Sequence, residues 1–72
     1  MNLLISKQAA QAFGTERRIV GDSLEQLSMK WYSLMLASGQ GCSVIGNGGN
    51  VLDDNGKRIA KISYNGRIWE GA

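Results

Sequence analysis

Residues 51–71 read VLDDNGKRIAKISYNGRIWEG, and this stretch decides the fold. It carries Asn-Gly twice, at Asn55-Gly56 and Asn65-Gly66, each between short runs of apolar and charged residues. Asn-Gly is the commonest two-residue hairpin loop, because a type I′ turn needs positive φ at both central positions, which Asn tolerates and Gly adopts freely. A three-stranded antiparallel meander follows. A two-residue loop at Asn55-Gly56 pairs Asp54 with Lys57, Asp53 with Arg58, Leu52 with Ile59 and Val51 with Ala60. The second loop sets Tyr64 against Arg67, Ser63 against Ile68, Ile62 against Trp69 and Lys61 against Glu70. Cross-strand partners of this kind contribute roughly 0.2 to 1 kcal/mol each, so matched charges and matched apolar pairs specify the register.

This register has a consequence for the two sides of the sheet. Val51, Ala60, Ile62, Tyr64 and Trp69 share one face, whereas Leu52, Ile59 and Ile68 share the other with Lys57, Lys61, Ser63 and Glu70. One helix covers only one face, so the second is either covered by the N-terminal residues 1–13 or open to a partner, including a second copy of the chain.

Upstream, Ser23 with Gln26 forms a capping box, Glu25 lies in the favourable first turn, and Gly39 is a natural stop, which predicts a helix between them. Within it Leu24, Leu27, Trp31, Leu34 and Met35 recur at three- and four-residue intervals as a stripe facing the sheet. Met29, Tyr32 and Leu36 widen the apolar arc to one side, leaving Gln26, Lys30 and Ser33 as the polar back. Asn2 to Ser6 and Glu16 to Val20 read as short strands. The Ala-rich segment from Lys7 to Phe13 favours a second helix stopped by Gly14, with continuation of the first strand as the alternative. Gly41 to Ile45 reads as a strand and Gly46 to Gly49 as a loop. The expected fold is α+β: a single domain over residues 1–72, with one main helix packed on an antiparallel sheet of four or five strands that ends in the meander.

Composition narrows the function. Seventy-two residues bury a modest core, about 60% of the unfolded surface at this size. Eight Lys and Arg against six Asp and Glu give a mild formal charge of +2, with no basic run resembling a polyanion-binding tail. The single cysteine, Cys42, reads as a buried strand residue; it forms no internal disulfide and fits a reducing compartment. Apolar runs are far too short for a membrane span, and the N-terminus lacks the pattern of a signal peptide, so a cytoplasmic protein is expected.

Motifs that would carry chemistry fail on spacing. The glycines of Gly39 to Gly49 do not lead into the Gly-Lys-Ser/Thr of a phosphate loop, and Gly46-x-Gly48 opens no helix as a dinucleotide site requires. Asp53, Asp54 and Asn55 resemble the start of a calcium loop without its spacing or distal Glu. With no histidine, and no base beside Cys42, an enzyme is not expected, nor a metal or other cofactor. Two nucleic-acid readings remain open. From Lys7 to Val20, an Ala, a Gly four residues on and an apolar residue six beyond that resemble the helix-turn-helix of small phage regulators, although Gly21 interrupts the second helix. Alternatively Lys57, Arg58, Lys61, Tyr64 and Arg67 form a basic sheet surface with an aromatic contact, against which stands their pairing with Asp53, Asp54 and Glu70.

Ser23-Leu24 opening the helix, a Gly-led strand after it, then Val51-Leu52, Asn55-Gly56, Ile59-Ala60 and Gly66-Arg67-Ile68-Trp69 together resemble the small phage anti-CRISPR proteins that inhibit type I-F surveillance complexes. The resemblance covers roughly the C-terminal two-thirds and rests on turns and core positions. It implies a phage or mobile-element protein acting in the host cytoplasm, which inhibits by docking on protein surfaces of a host CRISPR-Cas complex and obstructing target DNA. The partner-binding candidates are Lys57, Arg58, Lys61, Tyr64 and Arg67. The alternative is a small helix-turn-helix DNA-binding regulator. Replacing Gly56 by Val should destabilise the protein by about 1–2 kcal/mol in thermal or denaturant melts, because a β-branched residue resists positive φ; unchanged melting would remove the turn.

Overall fold

The computed structural model describes residues 1–39, 41, 45–46 and 48–70. Seven elements follow in order: strand β1 (Asn2–Ile5), helix α1 (Lys7–Phe13), β2 (Arg18–Val20), helix α2 (Leu24–Ser38), β3 (Gly49–Leu52), β4 (Arg58–Ile62) and β5 (Ile68–Glu70). The fold is α+β, with one antiparallel sheet of five strands in the order β2-β1-β3-β4-β5 and the helices packed on it.

The helix boundaries follow from capping chemistry. Ser23 Oγ accepts from Gln26 N at 3.1 Å, while the Gln26 side chain reaches one residue further back than in a standard capping box and accepts from Asp22 N at 2.7 Å. Helix α2 ends at Gly39 in the left-handed region. The Ala-rich segment is helical: Ser6 caps α1 by accepting from Ala9 N at 3.0 Å, and its own hydroxyl donates to Ile45 O at 3.4 Å. Gly14, at φ 70, closes it with N–H bonds back to Ala10 and Gln11 carbonyls.

One cluster makes the core. Leu3, Ile5, Val51, Ala60 and Ile62 from the sheet meet Ala9 and Ala10 of α1, Leu27, Trp31 and Met35 of α2, and Ile45. The N-terminal residues therefore do not cover the second face of the sheet. They supply an interior strand, between β2 and β3, and a helix on the same side as α2. Trp31 is fully buried, edge-on to Phe13 with ring centroids 5.3 Å apart, and its indole N–H donates to the Tyr64 carbonyl at 2.8 Å. One turn earlier, Ser28 Oγ donates to the Gly66 carbonyl. These two bonds hold the second hairpin loop against α2.

Both hairpin loops differ from the two-residue expectation. Asn55 and Asn65 keep negative φ, Gly56 and Gly66 alone are positive at 82° and 88°, and the closing bonds are Asp53 N to Lys57 O and Ser63 N to Arg67 O. Each is a three-residue loop, a type I turn followed by a left-handed glycine. Side chains favour the longer form: Asp53 Oδ1 accepts from both Asn55 N and Lys57 N at 2.9 Å, and Asn65 Oδ1 accepts from Ser63 Oγ at 2.7 Å and Arg67 N at 3.3 Å. Adding one loop residue moves the pairing by one. In the first hairpin Leu52 faces Arg58, and a bulge at Ile59 then restores Val51 opposite Ala60, as expected. The second hairpin has no compensating bulge. Ile62 faces Ile68, Lys61 faces Trp69 and Ala60 faces Glu70, so the expected Ile62–Trp69 and Lys61–Glu70 pairs are not formed.

The single-residue slip exchanges faces. Ile68 turns inward and packs against the core, as does the bulged Ile59, while Trp69 turns outward and is 52% exposed. Of the expected strand from Gly41 to Ile45, residues 42–44, Cys42 among them, lie outside the described residues; Ile45 is buried and helical rather than extended, and its N–H donates to Gly41 O at 3.1 Å. Gly48 has a role beyond turning the chain, since a Cβ there would run into the Ile62 carbonyl.

Because Trp31 both fills the core and satisfies the Tyr64 carbonyl, Trp31→Phe should cost about 2–3 kcal/mol and lower Tm by roughly 10 to 20 °C. Hydrogen exchange should accelerate first in the 63–67 loop; uniform acceleration across the sheet would refute the role given to this bond.

Candidate functional site

The outer face of the sheet, turned away from both helices, is built of three rows of side chains, read from the register. Val20, Asn2, Leu52 and Arg58 form one; Arg18, Leu4, Asn50, Lys61 and Trp69 form the next; Ser63 and Arg67, at the mouth of the second hairpin, form the third. At about 4.8 Å per strand, the middle row runs roughly 19 Å across the molecule. Leu4 and Leu52 are half-buried between neighbours, whereas Val20 is 61% exposed and Trp69 stands free on the outer strand.

Charge on this face is of one sign. Arg18, Arg58, Lys61 and Arg67 are all exposed, and none of the three rows contains Asp or Glu. The acids expected to neutralise them lie elsewhere: Asp53 folds into its own turn, Glu70 belongs to a row on the helix side, and Asp54 approaches the N-terminal ammonium at 3.8 Å. The Arg67 guanidinium lies over the Trp69 ring, 4.3 Å from its centroid, a cation–π contact that holds both side chains upright. With Lys61, Ser63, Tyr64 and Asn65 they line a hollow of about 540 Å³.

Of the five sequence candidates, the structure thus brings Lys61, Tyr64 and Arg67 to one hollow and places Arg58 on the same face. Lys57 stands apart at the tip of the first hairpin, exposed, with its backbone bonded to Asp53. Tyr64 is half-buried and packs on the core from its loop. Trp69, Arg18 and Leu4 were not among the candidates. Trp69 was hidden by the register, and Arg18 by the unknown position of β2 in the sheet.

The helix-turn-helix expectation is corrected here. Where its second helix would run, Arg18–Val20 is strand β2, paired with β1, and the next helix starts only after the Ser23 cap. The alternating burial of β1, with Leu3 and Ile5 buried, together with Gly21 N–H donating to Met1 O at 3.1 Å, favours the extended form over a recognition helix.

Another concavity carries different chemistry. A groove of about 890 Å³ between β2 and α2 is lined by Ile19, Val20, Met29 and Leu34; Lys30 crosses it to donate to Val20 O at 2.6 Å. On α2, Met29 and Leu36 point outward, 70% and 61% exposed, opposite Trp31. Among the described residues no three His, Cys, Asp or Glu stand together to hold a metal ion, and no helix is long and apolar enough to cross a membrane.

No protein-family model, no curated protein and no solved structure matches the chain.

The two tryptophans offer a direct reading of this arrangement. Iodide should quench part of the tryptophan emission and leave a protected part, and Trp69→Phe should remove the accessible part alone. A single protected population in the native protein would place Trp69 inside and restore the two-residue register.

Proposed function

We propose that this chain is a non-enzymatic protein-binding inhibitor, encoded by a phage or mobile element, that acts in the host cytoplasm by docking on a CRISPR surveillance complex and blocking its access to target DNA. The observation that carries this reading is the outer face of the sheet, where half-buried Leu4 and Leu52 lie among exposed Arg18, Arg58, Lys61 and Arg67, with Val20 and Trp69 exposed on the edge strands. Apolar side chains among cations, with Trp and Arg as anchors, suit a protein interface. The resemblance of Val51-Leu52, Asn55-Gly56, Ile59-Ala60 and Gly66-Arg67-Ile68-Trp69 to the type I-F anti-CRISPR proteins supplies the class of target.

The test uses purified type I-F surveillance complex and its double-stranded DNA target. The chain should comigrate with the complex after nuclease treatment, and a stoichiometric amount should abolish DNA binding in a mobility-shift assay. Undisturbed DNA binding, with the chain eluting alone, would refute the reading. Binding of the chain by itself to DNA, weakening steeply with salt, would favour a DNA-binding regulator instead.

A further inference from the structure

We infer that the partner surface received by the outer sheet face is acidic, with carboxylates meeting Arg18, Arg58, Lys61 and Arg67 around Leu4 and Leu52, and with Trp69 on the edge strand. The inference rests on the reading of this face as the docking surface and adds the chemistry of what docks there.

Charge complementarity is the first argument. Four cations project from the three rows without one carboxylate among them, although the whole chain carries only +2. Of the six acids, Asp53 and Asp54 are at the hairpin tip, Asp22 and Glu25 at the start of α2 and Glu70 on the helix side of the sheet, while Glu16 is exposed in the connection before β2, two residues from Arg18 and outside the three rows. Such separation orients the approach of an anionic partner and rejects a basic one.

The second argument separates a protein from a nucleic acid. A single-stranded nucleic acid is held by successive aromatic rings on which bases stack, with cations tracking the phosphates. The three rows hold one aromatic residue, Trp69, on the edge strand, with Arg67 already over one side of that ring, and Tyr64, which lines the hollow beside it, is half-buried against the core. Leu4 sits between Arg18 and Asn50, and Leu52 between Asn2 and Arg58, positions suited to apolar side chains flanked by carboxylates. Lys61 lies directly opposite Trp69 in the register and Arg67 lies over its ring, and both line the hollow, so an acidic side chain entering it would meet two cations beside an aromatic wall.

The experiment titrates the full chain with two probes, a random glutamate–tyrosine copolymer and a deoxythymidine oligonucleotide, reading selectively excited tryptophan emission at low and physiological salt. The copolymer should bind about tenfold more tightly than the oligonucleotide and perturb the emission that Trp69→Phe removes. Arg58→Glu with Lys61→Glu should weaken copolymer binding by about tenfold or more while circular dichroism stays native. Should that pair fail to fold, Arg58→Ala with Lys61→Ala takes its place, with a smaller loss expected. Equal or tighter binding of the oligonucleotide, no binding of the copolymer, or undiminished binding by the charge-altered variants would overturn the inference. The same variants are tested on the surveillance complex. Wild-type chain that binds the copolymer as expected but not the complex refutes the functional reading alone; complex binding that survives charge reversal refutes the inference alone.

Discussion

The bond from the Trp31 indole to the Tyr64 carbonyl is the contact on which the arrangement of this protein depends. Trp31 is the largest fully buried side chain, and burying its ring without a partner for the N–H would cost roughly 1–3 kcal/mol. The partner comes from the loop of the second hairpin, at 2.8 Å. That single acceptor places the 64–66 turn against α2, with Ser28 holding Gly66 one helical turn away. Once the turn is placed, Arg67 and Trp69 are committed to the outer face and Ile68 to the core. The chemistry of the exposed surface is thus set from the opposite side of the sheet, by a residue that never reaches it.

That surface departs from the rest of the molecule in both charge and polarity. The helix side of the sheet is closed by one apolar cluster, and the described structure has no buried polar side chain. On the outer side, aliphatic residues are half-covered by their neighbours and flanked by cations that have no acidic partner across the strands. A soluble surface usually interleaves the two signs of charge. Here the loops and helix termini have taken the acids for structural duties, Asp53 in its turn and Asp54 beside the N-terminal ammonium, leaving the sheet basic.

Most of the architecture was legible in the chain because capping and turn chemistry are local. Ser23, Gly39, Gly14 and the two Asn-Gly pairs each mark a boundary that the structure keeps. Register was not equally legible, since Asn-Gly serves a two-residue loop and also a three-residue loop in which Asn remains right-handed. The matched charges that suggested the shorter loop are outweighed by the side-chain bonds of Asp53 and Asn65 to backbone N–H groups, which only the longer loop allows. The error cancelled in the first hairpin through the bulge at Ile59 and persisted in the second. For the candidate surface, Arg58, Lys61 and Arg67 were visible as cations on a meander. Trp69 read as core because a one-residue slip reverses a strand, and Arg18 could not be joined to them until β1 was known to lie between β2 and β3.

The interior position of β1, between β2 and β3, also bears on how the chain reaches its native state. Asn2 pairs with Leu52, so the sheet forms only after a loop of about fifty residues has closed, an entropic cost near 3.5 kcal/mol for a flexible chain. Neither end of the sequence holds a sheet that is complete alone: the β3–β4–β5 meander lacks the strand that flanks it, and β1 with β2 lacks β3. Long-range pairing of this kind makes folding slower than in a helical protein of the same size and couples the two ends into one cooperative unit. Cleavage anywhere between β2 and β3 would turn that closure into an association between two fragments, dependent on their concentration.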